Sequence, residues 1–200
     1  FLFLDVVSPI PEFHLINDKK IQNSFKIMQN ANQKLSDQII PRYLEIKKTY
    51  NIEKKIKKLI VTIGPGSYTA LRVGTSFIAG LSQSMNLPVS TISVETIYDQ
   101  LYDPNNQIGI YFESSNNQNF FSYKEGSNFY NLKIDNDPYL IPENISLVFF
   151  NKNVSNFINT KVKLRAFSIK DTVLRLLDNL KFDDKSIIKP IYISNNKLLN

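Results

Sequence analysis

Hydrophobic and polar positions change period several times between residues 59 and 101, and each change predicts an element. Residues 59–63 are a β-branched run that enters Gly64-Pro65-Gly66-Ser67, a cluster that ends strands and permits backbone conformations side chains forbid. Beyond it Leu71, Ile78, Leu81 and Met85 recur at helical spacing, which predicts a helix to Met85 with that face buried. Val73, Phe77, Gly80 and Ser84 run down a neighbouring stripe, where small residues let another backbone approach, so the helix is expected to pack on two sides. Residues 88–92 read as a short strand, and 95–101 as a helix begun by Ser93.

Upstream, residues 1–7 predict a buried strand ending near Asp5, interrupted by Pro9 and Pro11. Residues 12–17 and 24–29 read as two further strands around a turn at 17–20, an antiparallel meander. Leu35, Ile39, Tyr43, Ile46 and Tyr50 then follow helical spacing, with Ile40 and Leu44 widening the stripe and Ser36 as the N-cap. Pro41 lies too far inside for the favoured first position, so it predicts a later start or a kink. Three strands, a helix, a strand, a helix and a strand make an α/β layer.

Residues 103–107, Asp-Pro-Asn-Asn-Gln, read as a linker and divide the chain into lobes at 1–102 and 103–200. After it, strands are predicted at 108–112, 119–123, 129–134 and 147–150. A helix follows at 169–180 with Val173, Leu176, Leu177 and Leu180 on its core face, and 189–193 closes as an extended piece. Two successive α/β halves suggest a duplicated fold, although no repeat has a fixed period.

Composition narrows the chemistry. The absence of cysteine in these 200 residues excludes disulfides, thiolate metal sites and a cysteine nucleophile, and fits a reducing cytoplasm. A single histidine excludes metal sites built on paired imidazoles, and His14, within the apolar segment FHLI, reads as a structural strand residue. No apolar run approaches the roughly 20 residues that span a bilayer, and residues 1–7 are too short and uncharged for a signal peptide. A net charge of +6 raises the question of nucleic acid. The densest basic patch is Lys54, Lys55, Lys57 and Lys58, with Lys19, Lys20, Lys47 and Lys48 besides. No aromatic residue interleaves with it to stack bases, so it supports only weak, salt-sensitive contact with RNA held by a partner.

The glycine turn has two readings. A strand passing through a glycine-rich turn into a helix presents unpaired N–H groups that can hold an anion, with Ser67 or Thr69 supplying a hydroxyl and Arg72 the charge. It can equally be a tight turn and an N-cap. The nucleotide P-loop is excluded, because GPGSYTALR lacks the Gly-Lys-Ser/Thr ending, and Thr69 stands where the dinucleotide fingerprint needs its third glycine. Asp5, Glu95 and Asp99 could hold a hard cation, but their spacing does not demand one.

Together these segments resemble the TsaB (YeaZ) family, the non-catalytic partner in bacterial threonylcarbamoyladenosine tRNA modification. The resemblance rests on GPGSYTALRVG at residues 64–74, similar to the family's GPGSFTGLRIG through Gly64, Pro65, Gly66, Ser67, Tyr68, Thr69, Leu71, Arg72 and Gly74. Ser36 with Ile39, Ile40 and Pro41, and the closing Pro190-Ile191-Tyr192-Ile193, are weaker matches. The resemblance implies an α/β fold of the actin/sugar-kinase-like (ASKHA) superfold, two similar lobes with mixed sheets and flanking helices. It also implies no catalytic residue, metal or cofactor on this chain, with ATP and metal on a TsaD-like partner that moves the threonylcarbamoyl group onto adenosine 37 of tRNA. By the same resemblance Leu35, Ile39, Tyr43, Val73, Phe77, Gly80 and Ser84 form the interface with that partner. A TsaE-like ATPase is recruited, tRNA contact is indirect or weak, no membrane is involved, and the same helices can pair as a homodimer in the cytoplasm.

The chain departs from the family at Ala70, where the family has glycine, at Leu35, where it has histidine, and after Ile193, where the terminal arginine is missing. Val6, Val7 and Ser8 stand where the superfold usually places a small polar phosphate turn, and 111–115 replaces the family's Asp-Ala-Arg. The catalytic paralogue TsaD carries a histidine pair after the proline strand, where this chain has none. The competing reading is a small ASKHA-type kinase or phosphotransferase with GPGS as phosphate loop and Asp5 as metal or base residue. It would need a second phosphate loop, yet Gly109 and Gly126 are isolated. Proteolysis by a resuscitation factor has little support without cysteine and with one histidine.

Overall fold

The computed structural model describes residues 1–30, 32–134, 141–151, 162–184 and 187–193. The first half contains β1 (Leu2–Asp5), β2 (Glu12–Asn17), β3 (Lys20–Lys26), α1 (Leu35–Tyr50), β4 (Leu59–Gly64), α2 (Tyr68–Met85), β5 (Val89–Ser93) and α3 (Val94–Gln100). The second contains β6 (Ile108–Ser114), β7 (Gln118–Glu125), β8 (Asn128–Ile134), β9 (Leu147–Phe150), β10 (Lys163–Ala166) and α4 (Ile169–Leu176). They build two five-stranded sheets, ordered β3-β2-β1-β4-β5 and β8-β7-β6-β9-β10. In each, the first strand of an antiparallel meander is the central strand (β1 or β6); it pairs in parallel with β4 or β9, which pairs in parallel in turn with β5 or β10, so the second sheet repeats the topology of the first. The expected α/β architecture, two similar lobes with mixed sheets and flanking helices, is present in that repetition.

The central strands are apolar because both their faces are covered. Leu2, Phe3, Leu4, Leu59, Ile60 and Val61 are all completely buried. One core runs from this sheet through Ile97 and Tyr98 of α3 and Ile169 and Val173 of α4 to Ile110, Phe112 and Phe120 of the second sheet. Helices α3 and α4 pack on each other, and the Tyr98 hydroxyl donates to the Ile108 carbonyl at 3.0 Å. Ser93 caps α3 by accepting from the Thr96 N–H at 3.1 Å, as the sequence predicts.

Several boundaries depart from the pattern. β3 begins at Lys20 rather than at 24, because Asp18 and Lys19 both take left-handed conformations (φ +50° and +58°) and close a two-residue hairpin. Its outer face is solvated, so KIQNSFK carries too few apolar residues to announce a strand. Ser36 is not the N-cap of α1. It lies inside the first turn and donates to Asp37, while Lys34 precedes the helix without a side-chain cap. The helix runs unbroken through Pro41, so its start is not delayed. Pro41 and Asp37, whose carbonyl loses the i+4 donor, are both exposed, and water can take that bond. β10 escaped the pattern altogether, since all four of its residues are exposed and give no burial period. The predicted last helix ends as α4 at Leu176 and tightens into a 3-10 turn, Leu177–Asn179.

Candidate functional site

The turn that joins β4 to α2 is a closed joint. Gly64 sits at φ +107°, and a Cβ there would fall 2.6 Å from the Ile191 carbonyl oxygen. Glycine is therefore required both by conformation and by close approach. The extended stretch around Ile191 is fixed on the same spot, its N–H donating to the Ile63 carbonyl at 2.7 Å. Pro65 is buried, and Gly66 packs against the Ser114 hydroxyl and Val7. Ser67 is 2% exposed, and its N–H donates to Ser114 Oγ at 3.0 Å. The Ser67 side chain makes no cap to the helix, whereas its carbonyl accepts from the Leu71 N–H at 2.9 Å. The N–H at the mouth of the turn is thus taken by the second lobe. Ser114 ends β6, the position that Asp5 holds at the end of β1, so the duplicated topology explains why it meets this turn.

From the joint α2 runs across the sheet. Leu71 is completely buried, and Gly74 is pressed onto the turn after β1, where a Cβ would lie 2.5 Å from Val6 Cγ1. Tyr68 and Thr69 are exposed in the first helical turn. The Arg72 guanidinium lies over the Tyr68 ring at 5.3 Å, and Tyr192 packs against the same ring at 4.6 Å. Tyr68, Thr69, Arg72, Val73 and Ser76 line an open groove of about 340 Å³.

The interface residues expected from the sequence separate into two groups. Val73 and Phe77 are half-buried, Ser84 is exposed, and Gly80 is exposed with no atom within 4 Å of where a Cβ would stand. No other part of the described chain approaches Gly80 closely, so its small size is not used for packing within this chain. Leu35, Ile39 and Tyr43, by contrast, are 7%, 2% and 6% exposed and face inward. Tyr43 meets Phe77 edge-on at 5.4 Å, close to Phe13, and its hydroxyl donates to Met85 Sδ at 3.6 Å. Burial pushes the Tyr43 hydroxyl pKa up. These three residues join α1 to the core and offer no surface in the isolated chain. The period of the stripe reports burial and cannot say by what. The exposed large hydrophobic residues of α1 are Ile40 and Leu44, 55% and 51% exposed and one turn apart.

Asp5, the metal or base residue of the kinase reading, is 3% exposed and fully engaged. Its carboxylate accepts from the N–H groups of Val7 (3.0 Å) and Ser8 (3.2 Å) and from the hydroxyls of Ser8 (2.6 Å) and Thr62 (3.2 Å). It holds the first turn in place and ties it to β4. Beside it a cleft of about 160 Å³ lies between the lobes, lined by Glu12, His14, Asn151 and Lys170 among others. His14 is 1% exposed on β2, stacked on Phe3, with Nδ1 2.8 Å from Ser24 Oγ. Burial lowers its pKa to about 4, so the ring is neutral at physiological pH. Burial also raises the pKa of Glu12. Among the described residues, no three His, Cys, Asp or Glu side chains gather as metal ligands.

Comparison with known proteins gives this arrangement a relation. YeaZ from Pseudomonas aeruginosa superposes with a TM-score of 0.60 at 12% identity, covering 96% of this chain and 98% of that one. A second solved structure, described as an uncharacterized protein with similarity to peptidase YEAZ from Pseudomonas aeruginosa, gives a TM-score of 0.60 at 14% identity, with the same coverage. At such identities the likeness shows a shared fold over nearly the whole length of both proteins. No curated protein sequence matches the chain. A family model described as TsaD, tRNA N6-adenosine threonylcarbamoyltransferase, matches residues 24–127, more than half of the chain, from within β3 through β7. The chain belongs to that TsaD family, a family described by tRNA modification, and has a YeaZ-like fold.

Proposed function

We propose that the chain is a non-catalytic, TsaB-type subunit. It docks on a TsaD-like partner through the outer face of α1 and α2, and the partner carries ATP, metal and the transfer of a threonylcarbamoyl group to adenosine 37 of tRNA. The observation that supports this most is the uncovered apolar face: Ile40 and Leu44 on α1, half-buried Val73 and Phe77 on α2, and an open Gly80 that lets a second helix come close. Covering such side chains gains about 25 cal/mol per Å² of apolar area, enough for the face to act as the centre of a docking surface. The groove beside Arg72 extends that face toward the glycine turn.

The engagement of Asp5 and of the Ser67 N–H in internal hydrogen bonds favours a scaffold over the kinase alternative, which needs both groups free for phosphate and metal. In this reading the subunit works in the cytoplasm, a TsaE-like ATPase joins the assembly, and a homodimer through the same helices competes when the partner is absent.

The test is to mix the purified chain with the TsaD-like protein of the same organism, then measure complex mass by light scattering and ATP binding by calorimetry. The expected result is a stable complex and no ATP binding by the chain alone. The double variant Ile40→Glu, Leu44→Glu is expected to melt like the parent and to lose the complex. Tight ATP binding by the isolated chain with no complex would sink the proposal.

A further inference from the structure

The lysines singled out in the sequence gather at one end of the first sheet. β1, β4 and β5 run parallel, so the turns after Asp5 and Gly64 share one end of the sheet. The opposite end, where Leu2 pairs with both Leu15 and Leu59, receives the β2–β3 hairpin turn and the loop leading into β4. Three contacts draw the basic segments together there. Lys55 lines one cavity with Asn17, Gln22 and Asn23 of the hairpin. Lys19 pairs with Asp178 at 2.6 Å, just past α4. Lys58 Nζ lies 4.4 Å from the centroid of the Phe182 ring.

The carboxylates at this end, Asp183 beside Val89 among them, balance only part of its charge. Asp178 is paired with Lys19, Glu53 with Lys47, and Asp18 accepts from the Asn17 amide. Lys55 donates to the Tyr50 carbonyl. Lys20, Lys54, Lys57 and Lys58 are exposed, and none has a carboxylate within ion-pair distance among the described residues. Crowded like charges repel one another, and a polyanion relieves that repulsion while releasing its own counterions.

We propose that this lysine end is a docking surface for an RNA phosphate backbone. Lysines on flexible stems act as point charges that can follow a phosphate backbone without a fixed geometry, and this group contains no arginine fork to impose one. The aromatic rings here are half-buried, Phe1 and Phe182 beneath Lys58 and Tyr50 against Phe25, so bases are not stacked and the surface positions the RNA without reading its sequence. The end lies roughly 17 Å from the glycine turn, the rise of a six-residue strand, so RNA here and a partner at the start of α2 occupy different surfaces. The choice of RNA over other polyanions rests on the tRNA relation of the family and of the proposed function.

The test measures tRNA affinity by fluorescence anisotropy across a salt series, for the full chain alone and for its mixture with the TsaD-like protein. One variant carries Lys20→Gln, Lys54→Gln, Lys57→Gln and Lys58→Gln. A control removes the same charge elsewhere, at Lys26, Lys34, Lys133 and Lys163. For each phosphate-binding lysine replaced, the lysine-end variant is expected to lose about tenfold in affinity near 100 mM salt and to flatten the salt dependence by about one unit of slope, with an unchanged melt. The control is expected to lose less than half as much on a logarithmic scale. Equal losses in both variants, or no loss in either, would overturn the proposal. So would weaker binding to the TsaD-like protein with tRNA affinity intact, which would mark this end as a protein-binding surface. Failure of the chain to join the TsaD-like protein, with tRNA binding still weakened in the lysine-end variant, would refute the proposed function and leave this surface standing.

Discussion

Two glycines in the middle of α2 should respond to the same substitution with opposite signs. Replacing either by alanine removes the entropic penalty of an interior helical glycine, a gain of about 0.8–1 kcal/mol. At Gly80 nothing lies within 4 Å of the new methyl, so Gly80→Ala should realise most of that gain. At Gly74 the methyl would stand 2.5 Å from Val6 Cγ1 and 3.1 Å from Cγ2. Val6 is completely buried and β-branched, so it cannot rotate aside without losing its own packing. Overpacking of this kind costs about 1–3 kcal/mol, and an approach this short belongs at the upper end, leaving a net loss of about 2 kcal/mol. The two variants should therefore differ by about 3 kcal/mol. For a chain of this size that is about 6–12 °C between their melting temperatures, read most cleanly from urea midpoints followed by circular dichroism. The double variant Gly74→Ala, Val6→Ala supplies the control, because the added methyl then occupies space that the valine vacated. A coupling of at least about 1 kcal/mol in favour of the pair is expected. A Gly74→Ala protein as stable as the parent, or strictly additive effects in the double variant, would refute the packing argument.

Three other outcomes follow from the same structure. His14 is held neutral in the fold with a pKa near 4 against 6.5 for the free side chain, so the unfolded chain takes up its proton first on acidification. Stability should then fall as pH drops from about 6.5 toward 4, by a total of about 3 kcal/mol, and this loss should vanish in His14→Gln. Glu12, raised by burial, acts in the opposite sense, and comparison of the two proteins across pH separates them. Ser114→Ala leaves the buried Ser67 N–H without its acceptor and should lower the urea midpoint by the equivalent of about 1–2 kcal/mol; no change would mean that this hydrogen bond between the lobes contributes nothing. Asp5→Ala strips an acceptor from two N–H groups and two hydroxyls and should cost about 2–4 kcal/mol. Retained stability in that variant would make Asp5 a group available for chemistry.

Local physics made part of this protein legible in its sequence. The buried parallel strand at 59–63, the glycine stop and the 3.6-residue period of α2 announce themselves because each depends on neighbours within a turn or two. The GPGSYTALRVG motif carried the family relation for a similar reason, since the residues that shape a joint must stay adjacent in the chain. Elements with one solvated face were poorly legible: β3 and β10 expose most of their side chains and so carry almost no period. Which buried stripe faces the core, and which residues look outward, emerged only from the folded arrangement. Leu35, Ile39 and Tyr43 share a helix with Ile40 and Leu44, and only the packing of Tyr43 against Phe77 and Phe13 tells the two sets apart. The fold also settled the fate of the polar groups. Ser114, far away in sequence, occupies the N–H of the glycine turn, and Asp5 spends its lone pairs on the loop beside it. Hydrogen-bond partners and close approaches between distant segments depend on three-dimensional distance, which no spacing along the chain encodes, and they turn an apparent anion cradle into a closed joint between two lobes.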